Sequence, residues 1–382
     1  MEHSILSIPT NHSRSQNIET LRFLLAVWVV ITHLAPWIFA IQGPAAIPEG
    51  IIWATRELEA LFQGNGETHP AVLGFIVLSG YCIHRNGLRS HRDGVLSYAI
   101  RRFFRIYPVF FIAALFGFGM FYIASKISPD SASLVSGTLK LSFEGMIRKL
   151  LTTEVINPPD YFPSIQGNGP LQTVAVEMWL YAVYPLALLM IGRFSDRSWW
   201  VVVAGCWVAS VGINTFIPEW RYWSFNASLI GFIPFWWVGL KFTDRNFSKF
   251  INRIVILPAI VWLIITIFQK DLGQYTQLFA AIRQVMFALC FGSLISFIDK
   301  ARSESKKPLS TVGSAGYSIY AFHAPIVYLL VLCGAPWWLI GVIAIVAGVA
   351  AFHLIEKPFM NIGRRLSTRP AALPQPGSST PT

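Results

Sequence analysis

Arg22 and His33 stand in an otherwise apolar run from Leu21 to Ala40. A charged or titratable side chain inside a membrane-length helix costs roughly 2.5 to 3.5 kcal/mol on insertion scales, so it is kept for work rather than for stability. The two are eleven residues apart. On a helix that spacing is about three full turns with about 20° left over, so both side chains share one face, about 16 Å apart along the axis. A cation near one membrane surface and an imidazole deeper on the same stripe read as two stations along a single channel.

Four further segments carry candidate chemistry. The stretch Tyr98 to Pro108 closes a basic loop and holds Arg101, Arg102 and Arg105, three arginines in five residues. Arg102 and Arg105 would project to one side of a helical turn and could clamp phosphate oxygens with their guanidinium forks; a cytoplasmic stop beside a span explains the charge equally. Glu177, opening a span after a Pro-rich stretch, could polarise a partner imidazole or hydroxyl, or it is an interfacial carboxylate with Trp179 and Tyr181 as aromatic-belt residues. Tyr317, Ser318, Tyr320 and His323 form a strip of hydrogen-bonding groups at the head of another span, although a histidine in a helix is often only a satisfied core residue. Leu78-Ser79-Gly80-Tyr81 is a small-residue contact that lets helices approach closely.

The elements that position these residues follow from composition. With 54% hydrophobic and 13% charged residues, the chain carries about half the charge of an ordinary soluble domain. It reads as an all-α, polytopic membrane protein. Apolar runs suited to spanning fall near 21–40, 71–84, 106–124, 171–192, 198–216, 227–241, 254–269, 278–297, 315–333 and 336–355, about ten helices in all. The 71–84 and 227–241 runs are short, as tilted, broken or re-entrant segments would be.

Cytoplasmic loops retain Lys and Arg. With ten spans and the N-terminus inside, 22 of the 30 basic residues fall on the inner side; the others are Arg56, Lys126, Lys140, Arg148, Lys149, Arg221, Lys270 and Arg283. Both termini are therefore expected in the cytoplasm, with residues 1–20 as a short leading segment, 21–358 as the transmembrane domain and 359–382 as a tail whose end, Pro370 to Thr382, is expected to be disordered. The net charge of +11 then reports orientation and contact with anionic lipid headgroups, and calls for no nucleic acid. External stretches near 41–70 and 125–170 could cap the outer mouth. Cys82, Cys206, Cys290 and Cys333 lack metal-type spacing and read as inert core thiols, so no metal site is expected.

The order of these motifs resembles the acyltransferase-3 family of integral-membrane acyltransferases, from Arg22 to about Pro358. Arg22 and His33 fit its Arg-ten residues-His signature, Phe75 to Tyr81 its aromatic-Leu-Ser-Gly segment, and Arg102 with Arg105 its paired arginines before Pro108. Glu177 with Tyr181 and Pro185, and Tyr317, Tyr320 and His323, fit its last two stretches. Gln172 and Thr173 replace the usual Trp-Ser, Gly316 a Ser, Glu19 a common Asp, and Leu73 a position that is often acidic.

The resemblance implies an inner-membrane O-acetyltransferase with no tightly bound cofactor, drawing on cytoplasmic acetyl-CoA and modifying a hydroxyl of an envelope saccharide, free or lipid-linked, such as an O-antigen or exopolysaccharide. Arg22, Arg102 and Arg105 would hold the coenzyme, and His33, Glu177 and His323 would serve catalysis. Tyr317, Tyr320 and Ser79 would line the substrate path. His33 would act as a general base or carry the acetyl group covalently. The competing reading is a transporter or flippase of a lipid-linked saccharide, which intramembrane polar residues also suit.

Overall fold

The computed structural model describes residues 16–62, 67–87, 90–128, 143–158, 168–193, 195–300 and 312–367. Every regular element among them is helical. The longer helices of the first half are α1 (Gln16–Gln42), α2 (Glu49–Phe62), α3 (Pro70–Gly87), α4 (Ser90–Ile127), α5 (Phe143–Leu151), α6 (Leu171–Arg193) and α7 (Asp196–Phe216). There follow α8 (Arg221–Asn226), α9 (Leu229–Lys241), α10 (Arg245–Ile254), α11 (Ile256–Phe268), α12 (Thr276–Lys300), α13 (Gly316–Leu332), α14 (Trp337–Ala351) and α15 (Lys357–Ser367). Residues 1–15, half of the second external stretch and the tail from Pro370 lie outside the described residues.

Among these, α1, α4 from Gly94 onward, α6, α7, α12 and α14 running on into α15 are long and apolar enough to cross a membrane. The pair α10 and α11, bent by 55°, makes a seventh if taken as one span. The expected short runs are indeed short: α3 is an 18-residue apolar helix and α9 has 13 residues.

Two boundaries differ from the sequence expectation. The arginine-rich stretch before Pro108 is not a loop but the first turns of α4. Gly94, at φ 82°, turns the chain, and no breaker follows until Pro108, which a membrane helix tolerates. At the far end the last span does not stop near 355; a π turn, Phe352–Glu356, carries α14 into α15.

Local chemistry sets several helix starts. Ser228 Oγ accepts the Gly231 N–H at 3.0 Å and opens α9. Asp244 caps α10 by accepting from the N–H groups of Asn246 and Phe247 at 2.8 and 3.3 Å. Such caps satisfy donors that the helix leaves orphaned.

Lipid offers no hydrophobic drive between helices, so close approach at small residues supplies the packing. On α3 a Cβ added at Gly80 would strike the Trp236 carbonyl oxygen of α9, and one at Gly239 of α9 would strike the Val77 carbonyl oxygen. The two helices thus meet backbone to backbone, with Trp236 and Trp237 of α9 fully buried beside them. A second group joins α1, α13 and α14. There Gly348 lies against Ile319, and a Cβ at Gly316 would sit 3.3 Å from the backbone of Arg22. A serine at that position would crowd α1, which gives the glycine there a physical reason.

Beyond the spans, Lys149 in the last turn of α5 forms a buried ion pair with Glu154 just after it. Burial pulls the Lys149 pKa down and Glu154 opposes it. Trp179 of α6 donates to Thr152 Oγ at 3.0 Å, so it fastens this segment instead of serving as a lipid-facing belt residue. The core-thiol expectation is corrected as well: none of the four free cysteines is fully buried, and Cys333 is exposed. A thiol is apolar enough for the flank of a membrane bundle.

Candidate functional site

The second turn of α1, the middle of α3, the middle of α4, the start of α6 and the start of α13 converge on one cavity with about 690 Å³ of empty space, its open mouth included. Its polar wall is Arg22, Ser79, Arg105, Glu177, Tyr181 and Tyr317, with Thr173 and Tyr320 beside them. Five separate stretches of sequence therefore meet in one place.

Glu177 reaches this cavity because α6 begins inside the bundle. Asn168, just ahead of α6, donates to the carbonyls of Ala113 at 3.3 Å and Ala321 at 2.8 Å, and Leu171, Val174 and Ala175 are buried. Glu177 therefore shares one cavity wall with Arg22 and Arg105. Its partner is Tyr181, whose hydroxyl donates to Glu177 Oε1, and Ser79 Oγ donates to that hydroxyl at 3.1 Å. Glu177 is thus joined to a phenol and a serine, not to an imidazole.

The arginines differ in their surroundings. Arg22 is paired with Glu19 at 2.9 Å. Arg105 lines the cavity with no carboxylate partner among the described residues. Arg102 does not line it: its guanidinium lies 5.0 Å from the Tyr181 ring centre and 5.7 Å from that of Tyr98. Of the two arginines expected to act together, only Arg105 lines the cavity, while Arg102 rests on the ring of Tyr181. Tyr317 contributes its ring, while its hydroxyl donates to the Ile106 carbonyl at 3.1 Å.

His33 and His323 adjoin the cavity without lining it. Their rings are 5.1 Å apart. His323 Nε2 lies 3.2 Å from His33 Nδ1, which is also 2.9 Å from the Val29 carbonyl oxygen; His323 Nδ1 is 2.8 Å from the Tyr320 carbonyl oxygen. Tyr320 connects the two regions, since its ring lines the cavity and lies 5.9 Å from the His323 ring. Phe75 packs edge-on against it at 5.4 Å. Arg22 and His33, the two ends of the α1 stripe, are thus linked through this aromatic step.

Two features were missed from sequence. His69, just before α3, accepts the Ala71 N–H at Nδ1, leaving Nε2–H to donate to Thr32 Oγ at 3.1 Å. Thr32 is the neighbour of His33 on α1, and the only signal for His69 was a histidine preceding Pro70 at the head of a span. Arg283, counted from sequence among the basic residues on the outer side, is fully buried on α12 and makes a two-pronged ion pair with Glu67. Gln269 and Thr266 accept from its remaining nitrogen at 2.9 and 3.3 Å.

Compared with known families, residues 15–356 match the acyltransferase-3 family model, described as an acyltransferase domain. Searches of curated proteins and of solved structures found no match.

Proposed function

Because this chain belongs to the acyltransferase-3 family and is a multi-pass membrane acyltransferase, we propose that it moves an acetyl group from cytoplasmic acetyl-CoA to a hydroxyl of an envelope saccharide at the inner membrane. The observation that carries this reading is the single cavity that holds Arg105 without a carboxylate partner and reaches, through Tyr320, the His33–His323 pair.

Arg105 offers a planar fork suited to a phosphate, with Arg22 as a second, partly neutralised cation. Along α1 the rise from Arg22 to His33 is about 16 Å, a span that a pantetheine arm can bridge. Ser79 and the Glu177–Tyr181 pair supply hydrogen-bonding groups along the way. His33 removes the proton of the acceptor hydroxyl as its oxygen attacks the thioester carbonyl; the C–S bond then breaks and the coenzyme leaves as thiolate, which takes a proton. In the covalent variant the imidazole attacks first and passes the acetyl group on.

The test is acetyl transfer from labelled acetyl-CoA in membranes, together with O-acetyl analysis of surface polysaccharide from cells with and without the protein. Wild type should label the glycan, and His33→Ala should not, at equal protein level. Full labelling by His33→Ala, or polysaccharide whose O-acetyl content ignores the protein, would overturn the reading. A carrier of lipid-linked sugar would show no dependence on acetyl-CoA.

A further inference from the structure

His33 and His323 constrain one another's protons. A carbonyl oxygen only accepts, so the 2.8 Å contact between His323 Nδ1 and the Tyr320 carbonyl places a proton on that nitrogen. Neutral His323 then presents a bare lone pair at Nε2. That lone pair lies 3.2 Å from His33 Nδ1, which is itself 2.9 Å from the Val29 carbonyl oxygen. Two acceptors converge on one nitrogen, and only an N–H satisfies both. The opposite tautomer would set the Nδ1 lone pair of His33 against the Val29 lone pair, in a pair whose His323 is 0% exposed. His33 Nε2 has no hydrogen-bond partner among the described residues.

We infer that His323 is a positioning residue that fixes His33 as its Nδ1–H tautomer, so that His33 Nε2 is the atom that receives the acceptor's proton or the acyl group. This rests on the acyl-transfer reading above. As Nε2 takes the hydroxyl proton, the oxygen's electron pair forms the new C–O bond to the thioester carbon, the C–S bond breaks, and the thiolate recovers the proton from Nε2. Between those steps the imidazolium charge is held at Nδ1–H by the Val29 carbonyl and by His323 Nε2. A buried carboxylate plays this part in hydrolase triads; here a neutral ring and a backbone carbonyl share it. The arrangement orients the base without adding a negative charge at membrane depth.

Solid-state NMR of the full-length protein in lipid, with ¹⁵N-labelled histidine and His33 assigned by its loss in His33→Ala, reads the tautomer with no substrate present. The expected result is a protonated Nδ1 and a bare Nε2; an Nε2–H tautomer in the wild type overturns the inference. In the transfer assay His323→Phe, which keeps a ring and removes the acceptor, should lower kcat by about 10²-fold with little change in the acetyl-CoA KM. His323→Gln keeps an amide oxygen able to accept from Nδ1–H and should return to within about tenfold of wild type. Equal losses in the two variants would assign His323 a purely structural role and overturn the inference, and the NMR result decides the matter if the Phe variant does not fold. A wild-type protein that shows the expected tautomer but transfers no acyl group would sink the acyl-transfer reading, and with it the role given to Nε2.

Discussion

Tyr320 lines the cavity and also neighbours His323, the two ring centres lying 5.9 Å apart. The phenol is therefore the step between the chamber that holds Arg105 and the imidazole pair. Truncating it to alanine removes the contacts with both Phe75 and His323. Tyr320→Ala should lower acetyl transfer by about 10²-fold, the scale of a small misplacement of a reacting group. Tyr320→Phe retains the ring and should stay within about tenfold of wild type. Equal loss in both variants, normalised to protein in the membrane, would show that the hydroxyl and not the ring matters.

Arg105 and Arg102 should separate kinetically. Arg105→Ala removes the cavity's guanidinium without a carboxylate partner, so the acetyl-CoA KM should rise by about tenfold or more, as for a lost charge-assisted contact. Arg102→Ala removes two ring contacts, worth about 0.5 to 2 kcal/mol, and should act on stability and kcat more than on KM. Titration of acetyl-CoA against the two purified variants checks this; a KM rise as large in Arg102→Ala contradicts the division.

The Glu67–Arg283 pair should be costly to break singly. Both side chains are buried, at 4% and 1% exposure, and an orphaned charge in such a place costs about 3 to 5 kcal/mol. Arg283→Met should therefore lower the thermal midpoint in detergent sharply, and Glu67→Gln combined with it should recover much of the loss. A double variant less stable than Arg283→Met would argue against an uncompensated charge as the cause.

Gly80→Ala and Gly239→Ala should each disrupt the α3–α9 crossing, because each new methyl group meets a backbone carbonyl that no rotamer change can move. Overpacking of this kind costs about 1 to 3 kcal/mol, occasionally more. Gly119→Ala, with open space around it, is the control. Size-exclusion profiles of the three variants should place the first two well below the third.

Much of the bundle was legible because a membrane helix is a local property: an apolar run of sufficient length declares itself. The α1 stripe was likewise a matter of periodicity. What the sequence concealed was set by distant partners. Arg102 and Arg105 share a helical face on any wheel, and only the partners supplied by α6 distinguish them: Arg102 lies over the Tyr181 ring while Arg105 lines the cavity. For Glu177 a polarising and an interfacial role stayed open, since nothing near it in sequence shows that Asn168 ties the preceding turn to Ala113 and Ala321. Nothing in the sequence near Arg283 pointed to Glu67, far away in the chain, as its partner.

The two walls of the cavity differ in stiffness. On the side of α1 and α13 the helices touch at Gly316, whose neighbours include main-chain atoms of Arg22, and α3 is held in the same manner against α9 at Gly80. On the side of α4 and α6 the fastening is by long phenols: Tyr98 reaches the Tyr181 carbonyl at 2.9 Å, and Tyr317 the Ile106 carbonyl at 3.1 Å. Side chains have alternative rotamers and backbone contacts do not. Widening of the chamber for a bulky guest would thus be borne by α4 and α6, with the histidine-bearing helices serving as the fixed frame against which they move.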